Sequence, residues 1–142
     1  MTTSSSAVRV AGITNLSAAS CIGPNQVSNN YAVMESTSAC CAIVNTVGFV
    51  SNAMTFGNQR EGTATLLIEA KVKDTGDAES AMSNVDALVD KIFASLESDD
   101  TLQGIVKSIN RIEATRDPRI AEIVGGMTWL PIDITVEMSW WD

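Results

Sequence analysis

The final segment of this chain, WLPIDITVEMSWWD, alternates apolar and polar side chains almost without interruption. Successive side chains of a β-strand point to opposite faces of a sheet, so this alternation predicts a strand with one buried face and one polar face. The rule separates the adjacent tryptophans, because it assigns Trp140 to the apolar face and Trp141 to the polar face. Pro131 cannot donate to a strand ladder, so we expect it at a bulge or an edge. The apolar face comprises Ile132, Ile134, Val136, Met138 and Trp140, opposite Asp133, Thr135, Glu137, Ser139 and Trp141.

Two earlier segments also have strand character. The segment ATLLIEAKVKD, at 64–74, alternates in the same way and predicts a second half-buried strand. The segment CCAIVNTVGFV, at 40–50, is rich in β-branched residues and predicts a third strand. Between them, FGNQREG at 56–62 contains two glycines that flank polar residues, which indicates a loop. The apolar face of the second strand comprises Leu66, Ile68, Ala70 and Val72, opposite Leu67, Glu69 and Lys71.

One segment, DTGDAESAMSNVDALVDKIFASLESDD, has the spacing of an amphipathic helix. Its apolar residues recur at every third or fourth position, which builds one continuous stripe on a helix surface. Thr75 or Asp77 supplies the side-chain oxygen that an N-cap requires. The stripe comprises Val85, Leu88, Val89, Ile92 and Leu96, with Asp86, Asp90 and Lys91 on the other side.

The remaining segments complete the predicted domain. Residues 1–30 are rich in Ser, Thr, Asn, Ala and Gly, which predicts an N-terminal arm or a loosely packed first element, although the apolar spacing of AVRVAGITNL at 7–16 would also suit a short helix. Residues 102–109 favour a short helix, 112–114 favours a strand after it, and 116–126 favours a loop or an irregular hairpin connection. Residues 31–142 are therefore predicted to form a single α+β domain. In it a mostly antiparallel sheet packs against one long helix and a short helix.

The charge and the residue types restrict the chemistry. The chain has 9 basic and 17 acidic residues, a net charge of −8, which disfavours general affinity for nucleic acid phosphates. It contains no histidine, the commonest general base and metal ligand. Cys21, Cys40 and Cys41 lack the spacing of a zinc site, and we interpret them as small buried thiols in a reducing compartment.

Candidate catalytic and metal-binding groups lack partners of the necessary type. Ser80 and Ser83 lie in the first turns of the predicted helix with no histidine to activate them, and Cys40 would need an unconventional base. Asp86 and Asp90 are four residues apart and share a helix face, which we interpret as solvated surface. We therefore expect no enzymatic activity, no cofactor and no metal site. The acidic group after the helix is likewise interpreted as a solvated loop and comprises Glu97, Asp99 and Asp100.

The N-terminal sequence MTTSSSAVRVAGITNLSAAS contains a single Arg and no continuous apolar core, so it does not have the pattern of a signal peptide. No segment reaches the length of a membrane span. We expect a soluble protein of intracellular origin.

The order of these segments resembles the tail terminator, or tail completion, proteins of long-tailed bacteriophages. The likeness covers about residues 40–140: an early β region, the strand TATLLIEAKVKD, the helix AESAMSNVDALVDKIFASLESDDTLQG, a variable loop and the final strand GGMTWLPIDITVEMSW. It includes the transition at 99–104 from an acidic loop to Thr-Leu-x-Gly. The N-terminal part departs from the pattern, because that family often starts with a charged amphipathic helix and SSSAVRVAGITNLSAAS is a poor one.

The resemblance implies a structural virion protein that forms a homo-oligomeric ring, usually a hexamer, in the neck region of the tail after assembly in the host cytoplasm. The ring ends polymerisation of the tail tube and joins the tail to the neck. Its partners are the tail-tube protein and a head–tail connector or stopper protein, and genomic DNA passes through the lumen without specific binding. An acidic lumen would repel the phosphates and let the genome slide. We expect interface contacts at Trp141, Trp129, Arg60 and Glu61.

Two alternatives stay open. The first is another ring-forming phage protein, either a head–tail stopper or a tail-tube subunit (major tail protein). A tube subunit would carry a long hairpin, for which FVSNAMTFGNQREGTATLL at 49–67 is a candidate. The second is a small enzyme or ligand-binding α+β domain, which would need a pocket with convergent polar groups. Solution mass separates them, because a ring is oligomeric and a domain of the second kind is monomeric.

Overall fold

The computed structural model describes residues 3–18, 27–30, 40–53, 59–74, 76, 78–115, 122–124 and 127–141. In these residues the strands join into one sheet in the order β1-β2-β3-β6-β4, and β5 pairs with β6 outside this path. β1 is parallel to β2, and every other pairing is antiparallel. This confirms an α+β fold with a mostly antiparallel sheet. In chain order the elements are α1 (Ser5–Ser17), β1 (Val27–Ser28), β2 (Cys40–Ala53), β3 (Arg60–Lys73), α2 (Ala78–Glu97), β4 (Ser108–Thr115), β5 (Glu122–Val124) and β6 (Met127–Trp141).

The final strand has the two faces that its alternation predicts. Ile134, Val136 and Met138 are completely buried, and Trp140 is 1% exposed. Trp141, the next residue, is 57% exposed. The strand period therefore separates the two tryptophans, as predicted.

The predicted connection at 116–126 contains the short strand β5. Glu122–Val124 pairs with Met127–Trp129 of β6 to form a hairpin, while residues 116–121 and 125–126 lie outside the described part of the chain. Pro131 pairs with β3 on one side. On its other side it lies between the segments of β6 that pair with β5 and with β4. β6 is an interior strand, so Pro131 does not lie in an edge strand as expected; among the described residues it has no partner on this second side.

Helix α2 packs on the apolar face of the sheet, as its stripe predicts. Four of the five residues of the stripe are almost completely buried, and each contributes roughly 1.5–3 kcal/mol relative to an exposed side chain, whereas Val89 is only partly buried. The predicted N-cap residues, Thr75 and Asp77, lie outside the described residues. The helix and the sheet share one hydrophobic cluster, which includes Val85, Leu88, Ile92 and Leu96 of α2, Leu66, Ile68 and Val72 of β3, and Ile134 and Val136 of β6.

The N-terminal segment contains a helix of the core, so the prediction of an arm is wrong for Ser5–Ser17. The side-chain oxygen of Ser4 caps α1 by accepting a hydrogen bond from the Ala7 N–H at 3.2 Å. Leu16 is completely buried in the cluster that also contains α2. Nδ2 of Asn15 donates to the carbonyl of Ser95 in α2 at 3.0 Å. Tertiary contacts of this kind stabilise a helix whose own amphipathic pattern is weak.

Residues 102–109 do not form the predicted short helix. Leu102, Gln103 and Gly104 have positive φ angles of 45°, 57° and 80°, which are incompatible with a right-handed helix. The Asp99 carboxylate holds this loop by accepting a hydrogen bond from the Gln103 N–H at 2.9 Å. The strand predicted to follow is present as β4.

The second face of the sheet contains a small separate core of Cys41, Ile43 and Trp129, all completely buried. Lys71, which the alternation assigned to a polar face, is only 1% exposed. Its ammonium lies 3.6 Å from the Glu69 carboxylate, and a buried cation requires such a partner. The alternation predicts the side of the sheet correctly but does not predict this burial.

Candidate functional site

Trp141 is presented to solvent at the end of the sheet where β6 finishes. It lies opposite Glu61 of β3, and Glu61 lies opposite Asn52 of β2, so the three residues form a row on the polar face. Nζ of Lys107 is 5.7 Å from the centre of the Trp141 ring, a cation–π contact. A large, rigid and exposed aromatic side chain is typical of protein interfaces.

Two depressions flank Trp141 and Lys107, which belong to the walls of both. One has a volume of about 460 Å³ and lies on the side of the β2–β3 hairpin, where Asn52, Glu61 and Ser139 line it. The other has a volume of about 240 Å³, and Thr3, Ala7, Gly104, Ile105 and Val106 complete its wall. Trp141 therefore projects between two concave surfaces at this end of the molecule.

Arg60, which was predicted at an interface with Glu61, is exposed at the same end as Trp141. Its side chain lies toward β2, where Nε donates to the Ser51 hydroxyl at 2.6 Å and Nη2 donates to the Ser51 carbonyl at 3.3 Å. The structure therefore brings three of the four predicted interface residues to one end of the sheet.

Trp129 lies at the other end of β6 and is a core residue. It is completely buried, with Nζ of Lys73 5.2 Å from the centre of its ring. Its indole N–H has no hydrogen-bond partner among the residues that the structure describes. A side chain without exposed surface cannot contact a second subunit in this conformation, which corrects the prediction of an interface at Trp129.

Both edges of the sheet are accessible in part. β1 covers only the start of β2, so Val44–Ala53 has no strand on its outer side within the described residues. β4 is the opposite edge. The N–H of Ile109 in β4 donates to the Asp100 carbonyl at 2.8 Å, which places the acidic loop against that edge. Arg111–Thr115 continues β4 with no strand outside it in the described part of the chain.

Each edge strand also has features that limit indiscriminate pairing. The register of β2 shifts around Val47, which is 58% exposed, and the register of β4 shifts around Asn110. On β4, Nη2 of Arg111 is 2.8 Å from the Glu113 carboxylate. Bulges and charged side chains protect edge strands from aggregation, so a partner must match these edges specifically.

The groups considered for catalysis do not converge. Cys40 is half-buried, Cys41 is buried, and Asp86 and Asp90 are exposed on α2. Cys21 lies outside the described residues. Within the described ranges, no group of three or more His, Cys, Asp or Glu side chains could hold a metal ion. No helix in the same part of the chain is both long enough and apolar enough to cross a bilayer.

No protein-family model matches this chain, and a search of curated proteins finds no match. Function is therefore inferred from the residues and from the geometry of the sheet. Two residues of the site were not predicted from the sequence, namely Lys107 beside Trp141 and Asp100 at the β4 edge. Lys107 has no periodic signal, and Asp100 was interpreted as part of a solvated loop. Only the fold shows which strand each residue adjoins.

Proposed function

We propose that this protein is a ring-forming structural subunit of a bacteriophage tail, in which neighbouring copies join through the edges of their sheets. The observation that carries this proposal is the pair of partly accessible edges, β2 and β4, on opposite sides of one sheet. An edge strand offers N–H and C=O groups to another strand. An interface between two different edges is heterologous. Such an interface closes into a ring when the rotation that relates one subunit to the next divides evenly into a full turn.

The strand directions favour a cyclic arrangement. β2 and β6 run in one direction and β3 and β4 in the other, because each strand is antiparallel to its neighbour. Rotation about an axis along the strands preserves the direction of every strand. β4 of one subunit would therefore meet β2 of the next in antiparallel orientation. The sheet would continue around the ring with four long strands from each subunit.

The exposed part of the polar face, away from the buried core of Cys41, Ile43 and Trp129, has the character expected of a lumen. Both helices pack on the other face, so a ring lined by the sheet would place α1 and α2 outside. The single exposed cation of β4, Arg111, is paired with Glu113. An acidic surface repels DNA phosphates and would let the genome pass without binding. The exposed acidic side chains of the polar face include Glu61, Glu113, Asp133 and Glu137.

Within this class, we propose the role of tail terminator, because residues 40–140 resemble that family in element order. The ring would stand at the head-proximal end of the tail, contact the tail-tube protein on one side and the head–tail connector or stopper protein on the other, and end tube polymerisation. A tail-tube subunit is the second candidate. That alternative predicts a long hairpin, and β2 and β3 pair from Cys40 opposite Val72 to Ala53 opposite Arg60.

Native mass spectrometry and negative-stain electron microscopy of the purified protein test the proposal. A terminator is expected to form closed rings of one defined mass, whereas a tube subunit is expected to stack into tubes as its concentration rises. A strict monomer over a wide range of concentrations would contradict both roles and favour a small ligand-binding or enzymatic domain.

A further inference from the structure

We propose that one ion pair sets the register of the ring: Arg60 at the β2 edge of one subunit binds Asp100 at the β4 edge of the next. This inference rests on the proposed ring and specifies which residues meet in it. Its partner is therefore a second copy of this chain. One edge of the sheet carries a cation and the other an anion, and among the described residues neither charge has an oppositely charged partner in its own subunit.

Arg60 belongs to β3, but its guanidinium lies over β2. The two hydrogen bonds to Ser51, from Nε and Nη2, hold the group over β2, which is an edge strand beyond Ile43 among the described residues. Among the described residues, no carboxylate lies within ion-pair distance of Arg60. The guanidinium retains further N–H groups that can donate to an acceptor on another subunit.

Asp100 lies against the outer edge of β4. Its carbonyl accepts the hydrogen bond from Ile109, and its side chain is exposed. Within the described part of the chain, its carboxylate has no cationic partner, because the nearby Arg111 is bound to Glu113. The preceding Asp99, by contrast, is used inside the loop as an acceptor.

The register of the sheet places the two charges at similar positions along the strand axis. Ile109 lies opposite Met138, Met138 is in register with Ala64, and Ala64 with Phe49. Ser51, to which Arg60 is bound, comes two residues after Phe49, a step of about 7 Å along the strand. A long, flexible Arg side chain spans such a step when Arg111–Thr115, the part of β4 that the acidic loop leaves accessible, pairs with the neighbouring β2 without a large shift of register.

The two groups also lie on the same side of the sheet. Arg60 has the parity of the buried Ala64, on the face that α2 covers. The loop that carries Asp100 follows α2 directly and packs on that face through Leu102, which is completely buried. In a continuous sheet, the two charges would therefore meet on the outside of the ring, away from the polar face.

Charge reversal and rescue test this pair. Arg60→Glu and Asp100→Arg each place like charges at the interface, and each is expected to raise the protein concentration needed for half-assembly by about tenfold or more. The double variant, R60E with D100R, restores opposite charges and should recover most of the assembly. Lys91→Glu, on the exposed face of α2, changes the net charge as much as R60E and should leave assembly unchanged. Native mass spectrometry over a dilution series measures the ring fraction, and thermal melting checks that every variant is folded.

The outcomes separate this pair from the ring itself. If the unmodified protein forms rings and R60E assembles equally well, the ring proposal stands and the Arg60–Asp100 pair is refuted. A double variant that assembles no better than the single variants also refutes the pair. A monomeric unmodified protein overturns the ring and the pair together.

Discussion

The rings of Trp140 and Phe49 stack with their centroids 5.1 Å apart and their planes 11° from parallel. Phe49 belongs to β2 and Trp140 to β6, so the contact crosses β3 on the helix-covered face. Nε1 of Trp140 also donates to the Thr63 carbonyl of β3 at 3.4 Å. The end of the sheet that presents Trp141 is therefore held in place by the residue directly before it.

The two tryptophans should differ sharply in their effect on stability. Trp140→Ala removes a buried ring together with its stacking contact with Phe49. It should lower the free energy of unfolding by about 3–5 kcal/mol. Trp141→Ala, at an exposed position of the same strand, should change it by less than about 0.5 kcal/mol. Chemical denaturation of the two variants measures both values. Equal losses would show that the strand period does not separate the two side chains in solution.

The packing of α2 on the sheet can be tested at one residue on each side of the contact. Leu88→Ala and Ile134→Ala should each cost roughly 2–5 kcal/mol, because both side chains are buried in the shared cluster. Asp86→Ala, on the exposed side of α2, is the control and should cost little. Full thermal stability in both core variants would contradict the helix-on-sheet arrangement.

Gly62 should not tolerate a side chain. A Cβ at this position would overlap the Val50 carbonyl group, with the carbonyl carbon only 2.7 Å away, and would lie 3.0 Å from the Trp140 ring. Gly62→Ala should therefore cost about 1–3 kcal/mol through displacement of strand β2. Gly48→Ala is the matched control, because its Cβ would meet Thr65 at 3.4 Å, an ordinary contact. Thermal melting of the pair gives the comparison, and equal melting temperatures would mean that β2 and β3 are further apart than described.

Truncation before Trp141 should impair assembly more than folding. The deletion removes the exposed ring that Lys107 contacts but leaves Trp140 and the core of β6 in place. We expect an unchanged melting temperature together with a loss of oligomers, measured on the same preparation by calorimetry and light scattering. A collapse of the melting temperature would assign Trp141 to the fold, and unchanged assembly would remove it from the interface.

The sequence alone was sufficient for features that depend on a local period. The alternation in β6 assigned Trp140 and Trp141 to opposite faces, and the spacing in α2 identified its buried stripe, because both patterns follow directly from backbone geometry. For α1 the sequence offered only a possible short helix at 7–16, within a segment interpreted as an arm. Residues 5–17 have few charges and a weak amphipathic pattern, and their helix depends on burial of Leu16 and on the contacts of Asn15 with α2.

The placement of single residues was decided by tertiary structure. Trp129 and Trp141 belong to the same strand and have the same parity, yet one is completely buried and the other is 57% exposed. A strand period specifies the side of the sheet, whereas burial depends on what packs over that side at each end. Asp100 and Arg60 likewise reach opposite sheet edges only because β2 and β4 lie at the two sides of the strand order. That order follows from long-range pairing, which no local pattern in the sequence encodes.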